Sequence, residues 1–383
     1  MTTWNSTKRP SERRLLACAL ALLLVAAAPL TARAEDWPLS RGDASASGVA
    51  RSEIADRPEL LWKYRAEDSA FEGTPVVAGG VVFLGDADGT FHAVRLSDGE
   101  PVWKQSFEDT GFLSAASVQG DRLVAGDFNG AVRCLRTTDG ETLWDANVES
   151  EVYAGPAFYQ GAVLITTEGG SLYAFDLESG KEAWRFSIDA PLRCSPTVVE
   201  GNALLAGCDG KLHTIDASTG QEVGAVEIGG PTGSTAAIRD GVAYFGAESG
   251  TFYAIQTKGG APQVAWTYRD RRRSQSIRSA AAVDDRFVTY GSQGKAVLAL
   301  GLDGEPLWEH ATRSGVESSP VIAGDRVIAA TTRGRLMLLD AKTGDQVWEY
   351  DAGGGFKASP AVVDGKILIP NTDGTLYCFG VKD

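Results

Sequence analysis

The sequence is short of the residues that usually carry chemistry. Its 383 residues include three histidines, five cysteines and two methionines. Cys18, Cys134, Cys194, Cys208 and Cys378 are scattered, and no two are adjacent. His92, His213 and His310 lie far apart, at spacings that fit strand surfaces and not a metal cluster. No nucleophile elbow, phosphate-binding loop or dinucleotide fingerprint occurs. Positive charge is also scarce, with 36 Lys and Arg against 50 Asp and Glu and a net charge of −14. An acidic protein repels phosphate backbones and anionic lipid, so neither nucleic acid nor a membrane surface is an expected partner. The basic run Arg269 to Arg273, broken by Asp270, reads as a solvated loop. Beyond residue 30 there is no long apolar run, and no membrane span is expected.

The one long apolar stretch, Leu15 to Leu30, follows Lys8, Arg9, Arg13 and Arg14 and precedes Ala32-Arg33-Ala34. A basic start, an apolar middle and a small-x-small end make a secretory signal, so residues 1–34 are expected to be cleaved after Ala34. The protein is then periplasmic or extracellular. Leu16-Ala17-Cys18 precedes the apolar run instead of following it, which argues against lipidation, and Arg13-Arg14 fits a twin-arginine signal poorly. Cleavage removes five basic residues and one acidic residue, taking the net charge from −14 to −18.

What is abundant is repetition. Trp62, Trp103, Trp144, Trp184, Trp266, Trp308 and Trp348 mark successive units, with Gly224 in the Trp place between Trp184 and Trp266. The separations are 41, 41, 40, 40, 42, 42 and 40 residues, which makes eight units. Within a unit the apolar runs are short, rich in β-branched and aromatic residues, and bounded by Asp, Asn or Gly. Val81-Val82-Phe83-Leu84 leads to Asp86-Ala87-Asp88-Gly89, and Thr90-Phe91-His92-Ala93-Val94 leads to Ser97-Asp98-Gly99. Such runs are strands joined by hairpin turns, and four in about 40 residues make one propeller blade. The predicted fold is therefore all-β, an eight-bladed β-propeller over residues 60–383, preceded by an N-terminal extension at 35–59. The last third strand, Gly374 to Phe379, has no Trp strand after it, so Leu60 to Arg65 is predicted to close the ring as the fourth strand of the last blade. Small residues such as Ser114-Ala115-Ala116 and Ser279-Ala280-Ala281-Ala282 place each unit's first strand nearest the central channel. The tryptophans, one per unit, are expected to pack between blades.

Leu172-Tyr173-Ala174-Phe175-Asp176 with Ser179-Gly180-Lys181 and Trp184 resembles the pyrroloquinoline-quinone-type (PQQ-like) propeller repeat, and so does Leu336-Met337-Leu338-Leu339-Asp340 with Thr343-Gly344 and Trp348. The resemblance covers about residues 60 to 383 and looks most like the non-catalytic branch that contains the outer-membrane assembly factor BamB; Trp37-Pro38-Leu39-Ser40-Arg41-Gly42 resembles the leader of exported members. WD40 repeats match less well, since Trp-Asp occurs in one unit only, at Trp144-Asp145. The resemblance implies a binding or scaffold protein with no cofactor, acting as a monomer on an envelope or secreted partner, an outer-membrane assembly component being one. Enzymes with this repeat carry long insertions, an adjacent cysteine pair and a calcium site, which this sequence lacks. A quinone-dependent oxidoreductase, or a propeller that recognises polysaccharide or another extracellular ligand, is the alternative. Asp86, Asp88, Asp127, Asp209 and Asp373 stand in turns that favour Asp, and no metal site is assigned to them.

Because strands alternate in direction, the inter-blade loops and the second-to-third-strand turns share one face. That face is predicted to present Glu72, Leu113, Tyr153, Arg193, Gly233, Ile277, Glu317 and Lys357, with Phe71, Phe112 and Phe356 just before three of them. These positions differ from blade to blade, and aromatics beside charges suit a partner surface. Phe71, Glu72, Phe112, Tyr153, Arg193, Glu317, Phe356 and Lys357 are the candidate site. Cys194 and Cys208, flanking a turn centred on Gly201, are expected to form a disulfide in an oxidising compartment, and Cys134 and Cys378 to stay buried and unpaired.

Overall fold

The computed structural model describes Met1 and residues 35–382, apart from 260, 271 and 273. The expected signal segment otherwise lies outside the described residues. The rest forms eight four-stranded antiparallel sheets, one per sequence unit.

The first blade shows why each unit folds as it does. Its strands are Val76–Ala78, Val81–Gly85, Thr90–Arg95 and Pro101–Ser106, counted outward from the channel. Gly79 and Gly80 join the first two with φ of 58° and 76°, the double positive φ of a tight hairpin turn. In the next turn the Asp86 carboxylate accepts the N–H groups of Asp88 (3.0 Å) and Thr90 (2.8 Å). Between the third and outermost strands the register slips at Ala93/Val94, and an equivalent bulge recurs in the other blades. A bulge adds local twist and bends the outer strand.

The tryptophans lie in the seams. Nε1 of Trp62, Trp103, Trp144, Trp266 and Trp308 donates to a backbone carbonyl of the following blade: Leu96, Thr137, Leu177, Leu302 and Ala341, at 2.8–3.0 Å. Each indole lies against a turn glycine of that blade. A Cβ at Gly99 would stand 2.6 Å from Trp62 and one at Gly180 2.6 Å from Trp144, and both glycines also need positive φ. At Gly224, where the tryptophan is missing, a Cβ would meet Pro262 at 2.9 Å, so a proline ring of the next blade fills part of that space.

The ring closes as predicted. Glu59–Arg65 pairs antiparallel with Thr375–Gly380, Trp62 opposite Cys378 and Tyr64 opposite Leu376.

The extension is more than a leader to the ring. Residues 37–50 lie across the channel, on edges of the innermost strands that no sheet partner uses. Trp37 and Val77 exchange two hydrogen bonds, the carbonyl of Pro38 accepts Val118 N–H, and those of Ser45, Ser47 and Gly48 accept the N–H of Ile238, Val283 and Ile322. This strap touches five blades through backbone alone and buries Trp37 to 2% exposure.

The structure corrects two expectations. Cys194 and Cys208 are free thiols. The turn is Glu200-Gly201, with Thr197 opposite Leu204, so the register places Cys194 across from Gly207 and Cys208 one position beyond. A one-residue offset turns neighbouring side chains to opposite faces. Cys194 is buried, while Cys208 is partly exposed with Sγ 3.5 Å from Thr232 O. Cys134 and Cys378 are buried and unpaired. The other correction concerns His92 and His213, which are buried at 3% and 4% exposure, because third-strand side chains face the seams. His92 bridges Asp86 Oδ2 and the Tyr64 hydroxyl at 2.8 Å each. His213 bridges Asp209 and Glu222.

Candidate functional site

The face carrying the inter-blade loops has a rim, a buried ring beneath it and a funnel at its centre. The rim residues sit two positions before the small residue that opens each inner strand. In blade order they are Glu72, Leu113, Tyr153, Arg193, Gly233, Arg278, Glu317 and Lys357. The sixth is Arg278 and not Ile277: Arg278 stands four residues before the inner strand that begins at Ala282, the same offset as in every other blade, and Ile277 is buried at 3%.

Phe71, Phe112 and Phe356 do not belong to the exposed surface. Their exposures are 0%, 1% and 0%, alongside buried Val152, Leu192, Ile277 and Val316 at the same place in other blades. Four of these side chains, Phe112, Val152, Ile277 and Val316, fill a notch left by a glycine at the end of the preceding blade's second strand. A Cβ on Gly85 would stand 2.3 Å from Phe112, and on Gly126 2.4 Å from Val152. The phenylalanines are seam core, and sequence position alone does not separate a rim residue from the residue that anchors it.

The charges of the rim are paired across seams. Arg193 takes Glu168 of the preceding blade in a two-pronged grip, with Nε to Oε2 at 2.8 Å and Nη2 on Oε1. That hydrogen bond, more than the opposing effect of burial, raises the guanidinium pKa. Lys357 Nζ lies 2.7 Å from Glu72 and Arg278 3.8 Å from Glu317, whose Oε1 also accepts Gln293 Nε2. Exposed pairs of this kind add about 0–1 kcal/mol each to stability. Tyr153, 42% exposed, is an aromatic ring that the rim leaves open to solvent.

Inside the rim is a funnel of about 180 Å³. Its wall includes Thr74, Ser114, Ala115, Gly155, Ser195, Thr235, Ala280, Ser319 and Ser359, and its floor is Ser40 and Arg41 of the strap. Five wall hydroxyls tie blades together by accepting a neighbouring blade's N–H. Gly155 donates to Ser195 (3.0 Å), Ser195 to Thr235 (3.0 Å), Ala280 to Ser319 (2.9 Å), Ser319 to Ser359 (2.9 Å) and Ser359 to Thr74 (3.1 Å). Sequence reasoning missed this ring and the burial of Arg41. The signal was the hydroxyl residue ahead of the inner strand in five units. On the opposite side of the strap a second hollow, about 670 Å³, is lined by Asp43, Ser47, Arg51, Glu200, Arg239 and Lys258. Among the described residues no group of three or more His, Cys, Asp or Glu is placed to hold a metal ion.

Eight PQQ-like blades closed by the N-terminal strand define the class, a quinoprotein-like β-propeller. The family model described as outer membrane protein assembly factor BamB matches residues 54–127, 92–300 and 293–383, and the protein belongs to that family. No curated protein matches the sequence significantly. Among solved structures, BamB from Moraxella catarrhalis is similar at 18% identity, with 85% of this chain and 98% of that one covered and a TM-score of 0.73. The computationally designed Ika8 protein is similar at 17% identity, covering 84% and 100%, with a TM-score of 0.75. Quinohemoprotein alcohol dehydrogenase from Comamonas testosteroni is similar at 15% identity, covering 92% and 82%, with a TM-score of 0.76. At these identities the likeness is one of fold.

Proposed function

We propose that the protein is a non-catalytic binding propeller of the cell envelope, exported and acting on a protein partner at the rim. The observation that carries this reading is the contrast between two neighbouring rings of residues. The seam ring is uniformly buried and mostly apolar, whereas the rim one position further on varies in charge and size from blade to blade, with Tyr153, Arg193, Arg278 and Lys357 exposed. Blade packing does not dictate those residues, and an exposed aromatic among arginines is the composition of a protein interface. Family membership supports an envelope partner, and a component of outer-membrane assembly is the first to test. No helix of the described residues is long and apolar enough to cross a membrane.

The alternative, a quinone-dependent oxidoreductase, has the likeness to quinohemoprotein alcohol dehydrogenase in its favour. The funnel does not fit that group. Its volume of about 180 Å³ is below the roughly 300–1,000 Å³ of small-molecule sites, and the strap fills the channel beneath it.

A photo-crosslinking residue at Tyr153 tests the docking reading in envelope preparations. The expected result is one specific adduct, lost when Arg193→Glu is added to the crosslinking protein while the melting temperature stays within about 1 °C, as for surface changes. Adducts that persist in that variant and disappear on altering the opposite face would place the site elsewhere. Titration with pyrroloquinoline quinone and calcium, followed by absorbance, tests the alternative; a saturable spectral change would support it.

A further inference from the structure

The strap carries a cation into the centre of an acidic protein, and among the described residues no carboxylate pairs with it. Arg41 is 4% exposed, and burial pushes its pKa down to about 10, only partly offset by the charge of Asp43. Its Nη2 donates to the carbonyls of Ala281 (2.9 Å) and Pro320 (2.7 Å), and its Nη1 to that of Ser319 (3.4 Å). Asp43 does not complete the shell, because its two carboxylate oxygens accept the N–H and hydroxyl of Ser47. Arg41 Nε is buried with no hydrogen-bond partner. Guanidinium has five N–H donors and no acceptor, so an unmatched one in a dry site calls for an anion.

The wall above Arg41 is built of donors as well. In the ring of five hydroxyls each oxygen already accepts a backbone N–H, which leaves its O–H to give. Among the described residues no acceptor is found for the O–H of Thr74, Thr235, Ser319 or Ser359. Ser114, 5% exposed on the same wall, has an Oγ with no partner at all. A cation at the floor and hydroxyls around the side form a socket for negative charge.

We propose that this funnel is a carboxylate socket, taking one carboxylate on a slim extended peptide against Arg41 and the hydroxyl ring. The inference rests on the docking reading and names what the partner would insert. A volume of about 180 Å³ is the room of about six waters, enough for a carboxylate and a small part of the peptide behind it. One charge is favoured over two, because one guanidinium lies below and the rim cations Lys357, Arg193 and Arg278 are already paired with Glu72, Glu168 and Glu317. The carboxylate is either the C-terminus of the inserted peptide or an Asp or Glu side chain.

The test titrates the mature protein with N-acetyl-tetraalanine as free acid, as its amide, and as an amide with one internal Glu, with sodium acetate as the simplest probe. Calorimetry reports affinity, and the NMR resonance of Arg41 Nε–H reports the place. The free acid is expected to bind at least about ten-fold more tightly than the plain amide and, like acetate, to shift that resonance. If the Glu amide binds instead of the free acid, the source is a side chain and the socket stands. Arg41→Gln is expected to abolish the difference between acid and amide. Because Arg41 also holds three carbonyls, Ser114→Ala is the second variant: it removes an unpartnered hydroxyl, leaves the melting curve alone, and is expected to weaken binding several-fold. Equal binding of acid and both amides, or an Arg41 resonance unmoved by every probe, overturns the socket. If rim variants still abolish partner capture in that case, the docking reading survives and this inference alone fails.

Discussion

Replacing Trp62 with alanine probes both the seam and the ring closure, because this indole belongs to the strand that joins the two ends of the propeller. Trp62 is 9% exposed, so nearly all of its surface is lost to water on folding. An aromatic side chain buries roughly 150–250 Å², worth about 4–6 kcal/mol at ~25 cal/mol per Å². Measured truncations of buried aromatics to alanine cost about 3–5 kcal/mol. The hydrogen bond to Leu96 O, 3.0 Å long, adds about 1 kcal/mol, and about 4–5 kcal/mol is a fair total. At an unfolding entropy of about 2.1 cal/mol/K per residue, some 350 folded residues carry about 0.7 kcal/mol/K. The melting temperature should therefore fall by about 6 °C, in a transition that stays single. Differential scanning calorimetry of Trp62→Ala against Val102→Ala, a half-exposed outer-strand position, gives the comparison; the valine variant should move by about 1 °C or less. A Trp62→Ala protein that melts within about 1 °C of the parent would refute the claim that the indole holds the seam.

Two further outcomes follow from buried groups. Burial pulls the pKa of Asp86 up, but the hydrogen bonds from His92, Thr90 N–H and Asp88 N–H outweigh it and hold the carboxyl below its ordinary range. A lowered carboxylate pKa contributes stability that is present above about pH 4 and lost as pH falls through the folded value. Asp86→Asn should therefore be less stable than the parent at pH 7, and the gap should shrink below about pH 4; melting curves from pH 7 downward check this, and a constant gap contradicts it. Burial also pushes the thiols of Cys134, Cys194 and Cys378 up to about 12, and raises partly exposed Cys208 by a smaller margin. Iodoacetamide on the native protein should label Cys208 first and the other three only on unfolding, as read by mass spectrometry; a Cys194–Cys208 crosslink in the unreduced protein would restore the disulfide.

Much of the architecture was legible because it repeats. A tryptophan about every 40 residues, short β-rich runs and Asp-Gly turns are local features, and eight copies of one local pattern leave little choice of fold. The missing Trp strand after Phe379 even revealed how the ring closes, since an unpaired strand needs a partner. The surface was read less well. Phe112 and Leu113 are neighbours in sequence, yet the first fills the notch over Gly85 and the second borders the funnel; that difference depends on how one blade meets the next. The sixth rim place, Arg278 and not Ile277, is a matter of counting instead: it stands four residues before its inner strand, as in every other blade. The Cys194–Cys208 expectation failed on a single step of register, which a turn of Glu200-Gly201 sets and a midpoint count does not.

The sequence by itself determined the repeating unit, its eightfold count and the closure of the ring, because these follow from spacing and turn chemistry within and between neighbouring units. Only the tertiary structure decided what occupies the axis. Nothing near Arg41 in sequence marks it as buried; it becomes so because residues 37–50 bond to five inner strands whose free edges converge there, from positions up to about 280 residues away. The hydroxyls of Thr74, Ser195, Thr235, Ser319 and Ser359, each unremarked in its own repeat, form one ring for the same reason: closing the propeller brings a single position of many units to a common centre.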